Sequence, residues 1–174
     1  MVEVEIWKMY TDPKTRVPII ILKEKAGTAK LPIWIGTVEA TAIAMEIKGR
    51  EFQRPLTHDL LFTAVKALGG EIRKAEVASL KDTTYYARIT IQRGDELIAI
   101  DARPSDSIAL ALRAKAPIFA ARDLLTHELD DALPEEGLEP ERSAPAEMSP
   151  EERAERIRRR IEEIDPEDFG KFSF

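Results

Sequence analysis

The sequence predicts an α+β fold: a mixed, mostly antiparallel β-sheet with three packed helices and a C-terminal helical tail. Strand-like segments come in two runs, one over residues 2–36 and one over residues 71–101. Helical patterns follow each run instead of alternating one by one with the strands, which is typical of α+β domains. A chain of 174 residues has room for one such domain and an appendage.

The first run predicts three strands that form an antiparallel meander. Residues 2–10 alternate apolar and charged side chains, residues 17–22 are rich in β-branched side chains, and residues 31–36 close the run. The segments 11–14 and 26–28 carry turn residues. Connections this short favour antiparallel pairing of the strands that they join.

Two helices are predicted next. The first covers about 38–48, with Thr37 as its N-cap and Gly49 directly after its end. The second runs from Thr57, another predicted cap, to about Leu68. The first helix is expected to bury Ala40, Ile43, Ala44 and Ile47. The second is expected to bury Leu60, Leu61, Ala64, Val65 and Leu68.

The second run predicts three more strands, over 71–80, 83–92 and 96–101, joined by short polar turns. A third helix follows Pro104, because proline suits the first helical position. A brief strand over 117–119 ends the domain. The third helix is expected to face inward with Ile108, Ala109, Leu112 and Ala116.

Composition excludes several classes of protein and site. The chain has no cysteine, so it has neither disulfides nor thiolate metal ligands. No apolar run approaches the ~18 residues that a membrane span needs. The first residues lack the pattern of a signal peptide. We therefore expect a cytoplasmic protein that does not act at a membrane.

Charge and composition divide the chain into a body and a tail. Residues 1–126 hold 19 Lys and Arg against 16 Asp and Glu, a net charge of +3, while residues 127–174 hold 7 against 16, a net charge of −9. We expect a folded domain over 1–129, an acidic Pro- and Glu-rich linker over 130–148 and an amphipathic helix with its tail over 149–174. The apolar seam of that helix consists of Ala154, Ile157, Ile161 and Ile164.

Two segments concentrate polar chemistry in front of helical patterns, RPLTHDLL at 54–61 and DARPSDSIALALR at 101–113. Each sets a proline and a group of Arg, Asp, Ser, Thr or His at the start of a predicted helix. A helix N-terminus presents free backbone N–H groups and the positive end of the helix dipole, and so suits an anion. The two segments therefore predict the functional site.

These segments, together with LPIWIG at 31–36 and SLKDTTYYA at 79–87, resemble the bifunctional nuclease family, a domain of bacteria and plants. The resemblance covers roughly residues 1–130, with the motifs in the same order. It implies hydrolysis of phosphodiester bonds in both DNA and RNA. Nucleic acid is then the expected partner.

Hydrolysis of a phosphodiester needs an activated water and neutralisation of charge on the phosphoryl oxygens. Divalent cations held by carboxylates commonly supply both. We therefore expect Mg²⁺ or Mn²⁺, with Asp59, Asp101 and Asp106 as ligands and Glu39 as the fourth. The alternative is structural, since acids in the first turn of a helix also stabilise its dipole.

His58 is the candidate general base or metal ligand, next to Asp59 at a helix start. With Asp59, Asp101 and Asp106 it makes up the predicted catalytic group. The alternative is a histidine that only fixes the loop by hydrogen bonding.

Arg54 and Arg103 are the predicted phosphate ligands, because a guanidinium group can bind two phosphate oxygens at once. The alternative is an ion pair inside the domain, of Arg103 with Asp59 or of Arg54 with Asp106.

Ser105 and Lys81 complete the predicted substrate contacts. For Ser105 the alternative is capping of the third helix, and for Lys81 it is an ordinary hairpin turn.

A second class of function fits the same residues. The chain would then be a non-catalytic regulatory or assembly module whose polar segments bind an anionic ligand or a protein partner. Trp34, if it is not in the core, and the helix over 38–48 would form its subunit interface. We expect a homo-oligomer, with a dimer favoured, and a tail over 149–174 that offers a docking segment to a protein partner.

Overall fold

Within residues 1–50 and 52–127, which the computed structural model describes, seven strands form one mixed sheet and three helices cover one of its faces. The strands are β1 (Val2–Thr11), β2 (Pro18–Glu24), β3 (Lys30–Trp34), β4 (Gly70–Lys81), β5 (Thr84–Arg93), β6 (Glu96–Ala102) and β7 (Ile118–Ala120). The helices are α1 (Thr37–Ile47), α2 (Thr57–Ala67) and α3 (Pro104–Ala114). The predicted α+β fold is confirmed. The predicted linker and C-terminal helix lie outside the described residues.

The strand order is β3-β2-β1-β7-β4-β5-β6. The meander β1–β2–β3 and the ribbon β4–β5–β6 are antiparallel throughout. Strand β7 joins them, because it pairs antiparallel with β1 and parallel with β4. The mixed character of the sheet therefore comes from one short central strand.

The main core lies between the sheet and the helices. Along β2, Ile20 and Leu22 face the helices, while Ile19 and Ile21 face the opposite side of the sheet, which we call the outer face. The helices contribute Ala40, Ile43, Ile108, Ala109 and Ala111 to the main core. None of the described helices is long and apolar enough to cross a membrane.

Helix α1 begins one residue earlier than predicted. Gly36 is its N-cap, with an extended backbone, and Thr37 is already helical, so the predicted cap is wrong. Ile47 is exposed rather than buried, because the buried residues of α1 are Ala40, Ala42 and Ile43 and its last turn lies outside the core. Gly49 follows the helix at a φ of +60°, as the predicted helix end requires.

Helix α2 is rotated relative to the prediction. Its N-cap is Leu56 instead of Thr57. Phe62 and Val65 pack on the sheet and α3, whereas four residues that were predicted to be buried are exposed: Leu60, Leu61, Ala64 and Leu68. Residues at helical spacing from Phe62 and Val65 include His58, whose side chain is bonded to α3. Polar pairing at the first turn therefore sets which side of α2 faces the domain.

Helix α3 follows the prediction more closely. Pro104 is its first residue, and Ile108 and Ala109 are fully buried. Its N-cap is Arg103 and no side chain caps it, so the predicted cap by Ser105 is wrong. Trp34, on β3, is 55% exposed, and so the core position considered for it is also wrong.

Candidate functional site

The first turns of the three helices meet at one place on the domain. Arg103, at the start of α3, donates through Nε to Asp106 Oδ2 at 2.6 Å and through Nη2 to Asp106 Oδ1 at 3.1 Å. The same Nη2 lies 2.8 Å from Oε1 of Glu39, in the first turn of α1. His58, in the first turn of α2, completes the group. We call these four residues the helix-start cluster.

His58 is held by Asp106. Its Nε2 lies 3.1 Å from Asp106 Oδ1, and the imidazole side chain is only 12% exposed. Because an ionised carboxylate can only accept, Nε2 is the donor in this bond. Within the described residues, the Nδ1 atom of the ring has no protein partner. The arrangement fixes the ring and leaves one nitrogen for chemistry.

The electrostatics of the cluster keep Asp106 ionised. Burial alone would raise the pKa of Asp106, but the hydrogen bonds from Arg103 and His58 outweigh it, and the pKa lies below its ordinary value. The pKa of Arg103 is raised, chiefly by its hydrogen bond and charge interaction with Asp106. Two carboxylates therefore surround one guanidinium at this site.

A buried arginine that sequence reasoning missed fastens α2 beside the cluster. The Arg113 side chain is 5% exposed. Its Nε donates to Asp59 Oδ1 at 2.5 Å, its Nη1 donates to the Ala109 carbonyl at 2.9 Å, and Nε lies 3.8 Å from Glu46 Oε2. A signal was present, since Arg113 lies seven residues after Asp106 and so on the same side of α3.

Asp59 holds the start of α2 in place. Besides its bond to Arg113, its Oδ2 accepts the backbone N–H of Leu56 at 2.8 Å, which satisfies a donor at the start of α2. Burial alone would raise the pKa of Asp59, but the hydrogen bonds from Arg113 and Leu56 have the larger effect, so the pKa lies below its ordinary value. Asp59 is thus close in sequence to His58 but joined to a different partner.

Asp101 does not join the other acids. In the β5–β6 register it stands opposite Arg88, and Arg88 pairs with Glu76 on the outer face of the sheet. Side chains that face one another across two strands lie on the same face. Asp101 therefore belongs to the outer face, whereas the helix-start cluster lies on the helix-covered face. The structure therefore does not bring Asp101 to Asp106, as the expected group of metal ligands requires.

The remaining predicted residues are dispersed. Arg54 is exposed in the loop before α2 and forms no ion pair with any described residue, so the alternative pair of Arg54 with Asp106 is not formed. Arg103 does form ion pairs inside the domain, but with Asp106 and Glu39 instead of Asp59. Ser105 is buried, with only 5% of its surface exposed.

Lys81 is the last residue of β4, at the β4–β5 hairpin. Its ammonium group is 5.3 Å from the centre of the Tyr86 ring. The contact is a cation–π interaction on the hairpin itself.

The predicted metal ligands do not fit a cation as they are arranged. Within the described part of the chain, no group of three or more His, Cys, Asp or Glu residues is placed to hold a metal ion. Both oxygens of Asp106 are engaged by Arg103 and His58, and Glu39 is engaged by Arg103. A cation at this cluster would have to displace Arg103.

Comparison with known proteins agrees with the motifs. The bifunctional nuclease domain matches residues 20–131, which contain the whole helix-start cluster. An uncharacterised protein of Mycobacterium tuberculosis is 35% identical over 97% of this chain and 98% of its own length.

Plant relatives match a smaller share of the chain. Bifunctional nuclease 1 of Arabidopsis thaliana is 29% identical over 58% of this chain and 32% of its own length. Bifunctional nuclease 2 of Oryza sativa subsp. japonica is 28% identical over 62% of this chain and 34% of its own length. The domain match and the near full-length mycobacterial relative together decide the family. The chain belongs to the bifunctional nuclease domain family.

Proposed function

We propose that this protein hydrolyses phosphodiester bonds of DNA and RNA, and that the helix-start cluster is the reacting site. Membership of the bifunctional nuclease domain family and the plant relatives named as nucleases support the activity. One observation carries the choice of site: His58 is held by Asp106 beside Arg103, where three helices begin.

In this proposal His58 is the general base. The bond from Nε2 to Asp106 selects the tautomer in which Nδ1 is unprotonated and can accept a proton. A water held by Nδ1 would lose a proton to the ring as its oxygen attacks phosphorus. The bond from phosphorus to the leaving oxygen would break, and that oxygen would keep the electron pair and take a proton from solvent. Asp106 orients the ring and stabilises the imidazolium that forms.

The phosphate would bind at the helix starts. Arg103 is 65% exposed, so its guanidinium is accessible although it is paired. Exposed Arg54 lies on the loop that leads into α2, and free N–H groups at the helix N-termini favour an anion. Asp106 and Glu39 compete with the phosphate for Arg103, so we expect weak binding that falls steeply with salt.

No step of the proposed reaction is assigned to a metal, because the carboxylates of the cluster are held by Arg103 and His58. General nuclease chemistry supports a second, separate proposal, which is that the activity requires Mg²⁺ or Mn²⁺. It is tested in the same assay by adding either cation or EDTA.

The decisive experiment compares variants purified in parallel. Labelled single-stranded RNA and DNA are incubated with the wild type, His58→Gln, Asp106→Asn and the control Asp101→Asn. We expect His58→Gln to lose about 10²–10⁴-fold in rate, the usual contribution of a general base. Asp101→Asn should stay within about threefold, because its side chain lies on the outer face. Equal cleavage by all four proteins would mean a contaminating nuclease and refute the proposal.

A second candidate function has an observation in its favour. Arg103 is neutralised by Asp106 and Glu39, as expected if the cluster only braces the helix starts of a non-catalytic regulatory module. Such a module would leave RNA and DNA intact while inorganic phosphate raises its Tm. Cleavage that is lost in His58→Gln at unchanged Tm would exclude it.

A further inference from the structure

Tyr86 is an exposed aromatic residue that packing within the described domain does not explain. It lies two residues before Arg88 on β5, so its side chain is on the same outer face of the sheet, and 41% of the residue is exposed. The neighbouring Tyr85 points the other way: it packs on the main core, and its hydroxyl donates to the Pro32 carbonyl at 3.4 Å. Within residues 1–50 and 52–127, the hydroxyl of Tyr86 has no hydrogen-bond partner.

An unpaired cation lies beside the Tyr86 ring. The ammonium group of Lys81, on β4, is 5.3 Å from the ring centre. Among the residues that the structure describes, no carboxylate pairs with Lys81, whereas Arg88 on the same face pairs with Glu76. An exposed ring with a cation beside it is suited to single-stranded nucleic acid, because the ring can stack on a base and the charge attracts the backbone.

The strand on the other side of Tyr86 ends before it reaches the ring. The last pair of the β5–β6 ladder joins Ala87 to Ala102. The next position of β5 is Tyr86, and the residue that comes level with it is Arg103, beyond the end of β6. In a longer strand, the side chain at that position would lie beside the ring. Because the side chain of Arg103 is bonded to Asp106 instead, a flat base can take that place.

The same register places Tyr86 next to the helix-start cluster. Adjacent strands are about 4.8 Å apart, and Arg103 keeps an extended backbone, with a φ of −68° and a ψ of 149°. The backbones of Tyr86 and Arg103 are therefore neighbours at one end of the sheet. A nucleic-acid strand with a phosphate at Arg103 would have a base within reach of Tyr86.

We propose that Tyr86 is a stacking platform for one base of single-stranded RNA or DNA, and that Lys81 binds the backbone next to that base. This proposal rests on the proposed function, since the platform would hold the substrate of the same site. The platform is limited to one base, because Arg88, the next residue on this face of β5, stands between the carboxylates of Glu76 and Asp101. Stacking tolerates every base, which suits an activity on both RNA and DNA.

Fluorescence anisotropy with short labelled oligonucleotides tests the platform. The reference protein is the full chain with His58→Gln, titrated on ice, and a gel confirms that the oligonucleotides stay intact. In this background Tyr86→Ala should weaken the binding of single-stranded RNA and of single-stranded DNA at least about fivefold, the usual effect of losing one stacked base. Tyr86→Phe should stay within about twofold, because a phenyl ring stacks without the hydroxyl.

Matched controls separate stacking from other effects. Trp34→Ala removes another exposed ring, on β3, about 24 Å from β5 at five strand spacings, and should leave binding unchanged. A duplex of the same sequence should bind the reference protein and Tyr86→Ala equally, because its bases are already stacked. In a series of oligonucleotides with one abasic site each, the reference protein should lose affinity at one position where Tyr86→Ala loses no more.

The salt dependence of binding tests the part assigned to Lys81. Lys81→Met should lower the slope of log Kd against log salt by about 0.7, the value for one lost phosphate contact on a single strand. Tyr86→Phe should keep the slope of the reference protein. An unchanged slope in Lys81→Met would remove Lys81 from the proposal.

Three outcomes would overturn the platform. They are equal binding by Tyr86→Ala and the reference protein, equal losses on intact and abasic oligonucleotides, and no binding of single strands by the reference protein even at low salt. The cleavage rates of the wild type and His58→Gln decide separately whether the helix-start cluster reacts. Stacking at Tyr86 without any cleavage would refute the proposed function and leave the platform, whereas cleavage with no effect of Tyr86→Ala on binding would do the reverse.

Discussion

Replacing Arg113 by methionine should detach α2 from α3. The guanidinium is almost fully buried and donates to Asp59 on α2 and to the Ala109 carbonyl on its own helix. Methionine keeps the apolar stem in place and removes the charge and the donors, so the change tests the ion pair instead of the packing.

The structure sets the expected size of the effect. Removing one partner of a buried ion pair typically costs about 3–5 kcal/mol. Asp59 is 33% exposed and keeps the Leu56 N–H, so water can partly replace the lost guanidinium. We therefore expect a loss of about 2–3 kcal/mol in the free energy of unfolding. For a domain of this size the Tm should fall by roughly 10 °C.

Urea unfolding followed by circular dichroism measures this loss, with Arg93→Met as the control. Arg93 pairs with Glu96 at 3.1 Å on the surface, with 58% and 63% of the two side chains exposed, so its loss should cost less than about 0.5 kcal/mol. A double-mutant cycle with Asp59→Asn should give a coupling of at least about 1.5 kcal/mol. If Arg113→Met costs no more than Arg93→Met, or if the two changes are additive, the reasoning is refuted.

Three further outcomes are expected. Because hydrogen bonds lower the pKa of Asp106, its contribution to stability is present above its unfolded pKa of about 3.9 and is lost as pH falls through the lower folded pKa. Calorimetry between pH 6 and pH 2 should thus show a shallower fall of Tm in Asp106→Asn, and parallel curves would contradict this. Gly70→Ala should cost about 1–3 kcal/mol in urea unfolding, since its Cβ would lie 2.9 Å from a methyl group of Ile91, whereas Gly94→Asn, at a φ of +59°, should cost less than about 1 kcal/mol. Arg103→Lys should lower kcat/KM on RNA at least about tenfold at nearly unchanged Tm, because a lysine cannot present the planar fork, and an unchanged kcat/KM would remove Arg103 from the site.

The strands could be predicted because their side chains alternate over whole segments and their turns are short. The rotation of α2 could not. Its sequence offers two apolar sides, and the outward one, with three leucines, is the stronger signal. The choice between them depends on where the partners of His58 and Asp59 lie on α3, which is a tertiary property.

Part of the candidate site could be predicted from the sequence. Polar residues in front of a helix are placed by local geometry, and the structure brings His58, Arg103 and Asp106 together with Glu39 as a neighbour. Asp101 is only two residues from Arg103, but its side depends on the register of β6 against β5. A shift of one residue would reverse that side, and the sequence alone does not set the register.

The short strand β7 has a consequence for how the protein is made. It occupies the centre of the sheet, yet it is the last of the strands within residues 1–127 to leave the ribosome. The meander and the ribbon are complete earlier, but neither has its central neighbour until residues 118–120 emerge. During synthesis β1 and β4 therefore each have an unpaired edge, and unpaired strand edges are prone to aggregate. A nascent chain that stalls before Ile118 holds the six other described strands without the one that links them, so the single sheet can form only after these three residues emerge.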